Sequence, residues 1–122
     1  MTIATTATAD IADFNARWLA AWSAKDVDGL CAFYADDCVY KDPQTVAGLK
    51  GNGALRGYLT QLFAATPAMT YTPDEVWPIP GGFCGRWYCD IASGGRMRGF
   101  DLVLFDGERI GLNEVYVHTL TA

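Results

Sequence analysis

The spacing of apolar residues in this 122-residue chain changes once, from helical to alternating, at Pro67. Before it, "ADIADFNARWLAAWSAKD" carries Ile11, Phe14, Trp18, Leu19 and Trp22 at helical spacing, with Thr8 or Asp10 as the cap. "DVDGLCAFYADD" predicts a second, short helix capped by Asp26, with Leu30, Phe33 and Tyr34 on one stripe. "GNGALRGYLTQLFAATP" predicts a third, with Leu55, Tyr58, Leu59, Leu62 and Phe63 on one face and Pro67 as its stop. Only "CVYKDP" reads as a strand in this half. Beyond Pro67 the period is two. "MTYTPDEVWPIP" predicts a strand broken by prolines and suited to a sheet edge. "GFCGRWYCDIA" and "RMRGFDLVLFDG" predict a hairpin through "SGG", and "ERIGLNEVYVHTLT" the last strand. Helices followed by consecutive strands predict an α+β domain, a curved sheet with helices on one face and a cone-shaped pocket between them.

Composition narrows the functions open to such a domain. The chain is long enough for one core and too short for two, which predicts a single domain over residues 1–122. Residues 1–9 read as a flexible leader, without the basic and apolar regions of a signal peptide. A net charge of −5, with Lys and Arg nowhere clustered, argues against nucleic acid and anionic membrane as partners. No stretch has the length and apolarity of a membrane span, and the expected location is cytoplasmic. Cys31, Cys38, Cys84 and Cys89 form no C-x-x-C pair, and His118 is the only histidine, so free thiols and no metal site are expected.

Alternation assigns most strand faces. Tyr40 and Asp42 share a face, and Asp42 either opens a turn before Pro43 or places a carboxylate in the pocket. Trp87, Cys89 and Ile91 form the apolar set that faces the helices, as do Asn113, Val115 and Val117 on the last strand. The direction of Asp101 stays open, because Gly99, Asp101, Val103 and Phe105 are as mixed as Arg98, Phe100, Leu102 and Leu104. Trp18, Trp22, Phe33, Phe63 and Trp87 are core or pocket wall. Arg96, Arg98 and His118 read as solvated or interface groups.

Taken together, "KDVDGLCAFYADDCVYKDP", "LRGYL" and "RGFDLVLFDGERIGLNEVY" resemble the NTF2-like superfamily in its SnoaL-like branch. That branch includes polyketide cyclases, limonene epoxide hydrolase and ketosteroid isomerase. The likeness runs from about Phe14 to His118; "YADD" ahead of the Asp-Pro strand end, the G-x-x-x-L helix and the final "FDGERI" hairpin carry it. It implies an NTF2-like cone, with three helices of the N-terminal half on the concave face of an antiparallel or mixed sheet.

The isomerase is the nearest match in motif. It implies that Asp42 is a general base and Asp101 a protonated donor to a developing oxyanion. Trp18 stands where the isomerase has a second donor, a tyrosine, while Tyr34 (expected on the second helix) and Tyr58 match supporting tyrosines. The hydrolase and the cyclases use an Asp on the last strand, where this chain has Asn113 or Val115. The resemblance therefore implies catalytic Asp42 and Asp101, with Trp18, Tyr34, Tyr40, Tyr58, Trp87 and Asn113 around the substrate. The reaction implied is cofactor-independent acid/base chemistry on a hydrophobic carbonyl compound, of isomerase, cyclase or dehydratase type. A non-catalytic domain that holds a small hydrophobic metabolite is the alternative. The outer sheet face, with Tyr88, Phe100, Leu102, Leu104, Leu112 and Tyr116, is apolar enough to imply a homodimer.

Overall fold

A computed structural model describes residues 8–121. Most of the leader expected over residues 1–9 lies outside that range; helix α1 (Thr8–Ala24) has begun by Thr8. It is followed by α2 (Val27–Cys31), β1 (Tyr34–Lys41), β2 (Leu49–Lys50) and α3 (Asn52–Ala65). Four long strands complete the chain: β3 (Met69–Ile79), β4 (Gly82–Ile91), β5 (Arg96–Asp106) and β6 (Arg109–Leu120). They form one curved, unclosed, mixed sheet in the order β2-β1-β6-β5-β4-β3, with β1 parallel to β6 and every other pair antiparallel. The fold class is the α+β architecture that the change of period predicts. Among the described residues, no helix is long and apolar enough to cross a membrane.

The second helix is shorter than predicted. Asp26 caps it as expected, its carboxylate accepting from the Gly29 amide at 2.9 Å, but the helix ends at Cys31. Tyr34 opens β1 and does not lie on a helical stripe. The ladder between β1 and β6 shifts register between Tyr34 and Val39, and this bulge leaves Asp36 and Asp37 exposed between buried Ala35 and Cys38. Burial at Tyr34, Ala35 and Cys38, in place of strict alternation, imitates a helical repeat. Strand β3 is continuous where prolines predicted a break. It is an edge strand, and a register shift between Pro73 and Glu75 absorbs the first proline.

Two local devices shape the space between helices and sheet. Lys25 adopts a left-handed backbone (φ 53°) after α1, and its ammonium donates to the Thr66 carbonyl at 2.5 Å and the Phe63 carbonyl at 3.1 Å. These are carbonyls that the end of α3 leaves unpaired, so one side chain caps one helix and ties it to another. Gly99 lies opposite Trp87 across the β4–β5 ladder, and a Cβ built on it would stand 2.0 Å from the indole ring. Only glycine leaves room for that ring to lie across the sheet.

All four cysteines are free thiols, with Cys31, Cys38 and Cys89 buried and Cys84 half-buried. Gly99→Ala is expected to force Trp87 out of place and destabilise the fold by about 1–3 kcal/mol, the usual cost of overpacking. Urea unfolding of the variant, followed by tryptophan fluorescence, measures this; an unchanged midpoint would mean that the indole has free space elsewhere.

Candidate functional site

The inner face of the sheet carries Trp87, Cys89, Asp101, Val103 and Asn113, all buried. Asp101, whose direction alternation leaves open, therefore points inward at 3% exposure. Between this face and the helices lies a cavity of about 360 Å³. Asp42, Asp101, Tyr40, Tyr58 and Trp87 all line it, so five of the side chains singled out in the sequence meet in one place. Trp18, Tyr34 and Asn113 do not reach the cavity wall and lie fully buried behind it.

Those three form a chain of hydrogen bonds directed toward Asp101. The Trp18 indole N–H donates to the Tyr34 hydroxyl at 3.3 Å, and that hydroxyl donates to Asn113 Oδ1 at 2.8 Å. Asn113 Nδ2 makes a long contact of 3.5 Å to Asp101 Oδ2, while also donating to the Leu102 carbonyl at 3.3 Å. The Trp87 indole donates to Asp101 Oδ1 at 3.2 Å. Burial nevertheless dominates and raises the Asp101 carboxyl to about 7, with the Trp87 and Asn113 donors working in the other direction. A carboxyl in that range can give or take a proton near neutral pH.

Asp42 has the opposite surroundings, and its two oxygens do different work. Oδ1 accepts from the Gln44 amide (2.8 Å), the Thr45 amide (3.0 Å) and the Thr45 hydroxyl (3.1 Å), which fixes the turn after β1. Oδ2 accepts from the hydroxyls of Tyr40 (2.9 Å) and Tyr58 (2.5 Å). The turn reading and the pocket reading of Asp42 are thus both true, one for each oxygen. Burial, followed by the neighbouring Asp42 carboxylate, pushes the Tyr58 hydroxyl up, so it stays a donor. It has a second acceptor in Gln44 Oε1 at 3.3 Å.

The rest of the wall is apolar. Leu19, Leu62, Met69, Met97, Val115 and Val117 line it together with Trp22 and Tyr71. Gln44, Met69, Tyr71 and Met97 are wall residues that the sequence reading missed, and Tyr71 is the largest of them. Prolines led β3 to be read as a broken edge, yet Tyr71 sits between two outward threonines in a clean alternation. Among the described residues, no group of His, Cys, Asp and Glu side chains is arranged to hold a metal ion.

The burial of Asp101 has a consequence for stability. In the unfolded chain this carboxyl ionises near its ordinary 3.8, and in the folded protein near 7. Between those values the unfolded chain has released a proton that the folded protein keeps, so stability falls as pH rises through the window and levels off above it. The full effect is on the order of 4 kcal/mol. Asp101→Asn removes it, so the stability of the variant relative to wild type should climb from about pH 4 to about pH 7. Urea unfolding at a series of pH values tests this; a constant difference between the two proteins would mean that Asp101 ionises normally.

The SnoaL-like domain family model matches residues 15–111, which is most of the chain. No curated protein matches it in sequence. Among solved structures, an NTF2-like protein of unknown function from Burkholderia xenovorans superposes with a TM-score of 0.75 at 16% identity, covering 92% of this chain and 85% of the other. A SnoaL-like protein of unknown function from Burkholderia thailandensis gives 0.74 at 18%, covering 92% and 97%. A protein of ketosteroid isomerase-like fold from Catenulispora acidiphila, solved in complex with trimethylamine, gives 0.71 at 19%, covering 84% and 82%. Identities this low speak for the fold alone. With the family match over residues 15–111, they identify the chain as a member of the SnoaL-like family with an NTF2-like fold.

Proposed function

We propose that the cavity carries out cofactor-independent proton transfer on a small hydrophobic carbonyl compound. The observation that carries this reading is a buried Asp101, raised to about 7, in the same apolar cavity as Asp42. Two carboxyls in unlike environments are what a site needs to donate at one atom and accept at another. Asp101, protonated, donates to the carbonyl oxygen and stabilises the charge that develops there. Asp42 takes the proton from the neighbouring carbon. Its Oδ2 becomes free for this when Tyr58 turns its hydroxyl to Gln44 Oε1. The apolar walls hold the substrate and keep water out.

Protein-catalysed exchange of the protons beside the carbonyl of cyclohexyl methyl ketone in D₂O, followed by NMR, needs no knowledge of the natural product. Asp42→Asn should lower the catalysed exchange by roughly 10²–10⁴-fold, the usual contribution of a positioned base. Because the donor must be protonated, exchange should decline as pH rises through about 7, and Asp101→Asn should abolish that decline. Exchange no faster than in buffer, or indifferent to Asp42→Asn, would overturn the reading.

One observation favours a second reading, a non-catalytic binding domain. All five donors around Asp42 are in place, so neither oxygen has a lone pair to spare without rearrangement. That domain would bind the ketone without exchanging its protons and would tolerate Asp42→Asn.

The outer sheet face supports a homodimer as the working unit. Phe100 is 40% exposed and Tyr116 58%, with Trp77 packed against Phe100 at 5.9 Å. Half-buried Leu102, Leu104 and Leu112 continue the patch. A second copy covering it should bury on the order of 1,200–2,000 Å² in total. Light scattering at micromolar concentration is expected to give the dimer mass, and a monomer there would exclude this assembly.

A further inference from the structure

The five aromatic side chains of the cavity wall follow one another without a gap. Tyr58 lies 5.8 Å from Tyr40, Tyr40 6.4 Å from Trp22, Trp22 5.9 Å from Tyr71 and Tyr71 5.0 Å from Trp87. Neighbouring planes differ by 44°, 28°, 51° and 63°, so the rings do not form a flat stack. Each end of this arc holds a carboxylate: Tyr58 and Tyr40 donate to Asp42, and Trp87 donates to Asp101. Among the described residues, no Lys, Arg or His lines the cavity. The nearby Lys25 spends its ammonium on the end of α3.

We infer that this cavity binds hydrophobic organic cations, protonated or fully alkylated amines, in preference to neutral compounds and carboxylates of the same shape. Aromatic faces carry the negative end of the ring quadrupole and attract an ammonium group, most strongly where water is excluded. The two carboxyls add charge of the same sign and have no countercharge of their own in the cavity wall. An anionic guest meets repulsion from both and finds no basic group to pair with. A neutral guest gains the apolar contacts alone. The inference goes beyond the proton-transfer reading and does not depend on turnover, since it concerns only what the walls hold.

The groups facing Asp101 determine how this preference varies with pH. They are Tyr34 from β1, Tyr71 from β3, Cys89 on the same face of β4, and Asp42 at the end of β1. Burial raises both tyrosines and the Cys89 thiol, the last to about 11, so these three stay neutral near pH 7. Asp101 is then the group whose ionisation changes the charge of the wall. Cation binding should strengthen as it ionises and should release a proton at lower pH.

The test compares three cyclohexyl compounds of similar shape by calorimetry: N,N-dimethylcyclohexylamine, cyclohexyl methyl ketone and cyclohexanecarboxylate. At about pH 8 the amine should bind at least about tenfold more tightly than the ketone, and the carboxylate most weakly. From about pH 6 to about pH 8 amine affinity should rise while ketone affinity does not, and Asp101→Asn should remove that rise. Tyr71→Leu, at a half-buried position that leaves both carboxyls in place, should lower amine affinity more than ketone affinity. Equal affinities for amine and ketone, tighter binding of the carboxylate, or no amine binding at millimolar concentration would overturn the inference. Failure of ketone proton exchange would count against the catalytic reading and leave the amine preference standing.

Discussion

Asp101 sits on the inner face of the sheet with no cation on the cavity wall among the described residues, so neutral donors alone make its burial tolerable. An uncompensated carboxylate in an apolar interior costs several kcal/mol, and the usual escape is to hold on to its proton. The surroundings go part of the way in both directions. Burial favours the neutral acid; the Trp87 and Asn113 N–H groups favour the anion. Much of the rest of the structure serves that compromise. Gly99 has no side chain, so the Trp87 indole can lie across the sheet and reach Asp101. Tyr34 fixes which way the Asn113 amide faces by donating to its oxygen, and this leaves the NH₂ group pointing at Asp101 and Leu102. Trp18 in turn supplies the donor that commits the Tyr34 hydroxyl to that direction.

This arrangement does not set Trp18, Tyr34 and Asn113 around the cavity, where the resemblance to the isomerase implies them. They stand behind the cavity wall, and their effect on any bound compound passes through Asp101. Trp18, which the resemblance sets in the place of the isomerase's tyrosine, is here the start of a hydrogen-bond chain. An indole N–H can only donate, so it holds the Tyr34 hydroxyl in a single orientation.

How much of this was legible in the sequence depended on where one periodicity dominated. The helices at 8–24 and 52–65, the hairpin over 82–106 and the inward set Asn113, Val115 and Val117 follow from clean repeats. Tyr34 was misplaced because a bulge in β1 spaces its buried residues like a helix. Asp101 could not be oriented because both faces of β5 carry apolar side chains, one toward the cavity and one on the outer sheet face. The deciding fact, that Gly99 must lie beneath Trp87, belongs to cross-strand register and has no signature in a single strand. Tyr71 was hidden by the prolines of an edge strand, although the same edge position is what lets those prolines remain.

The two carboxyls of the cavity show how one residue type acquires two chemistries. Asp42 stands where the chain leaves the sheet, and the turn that follows supplies backbone amides and a hydroxyl to one oxygen while β1 and α3 supply phenols to the other. Asp101 lies within a ladder where every backbone amide serves the sheet, so only side chains can reach it. The difference follows from position in the strand: an end residue has a turn beside it, and a mid-strand residue does not. Asp42 is also bound to the shape of the cavity mouth, because the turn it fixes contains Gln44, the alternative partner of the Tyr58 hydroxyl. A guest that draws that hydroxyl away from Asp42 therefore acts on the carboxylate and on the mouth through one hydrogen bond, whether the cavity catalyses or only binds.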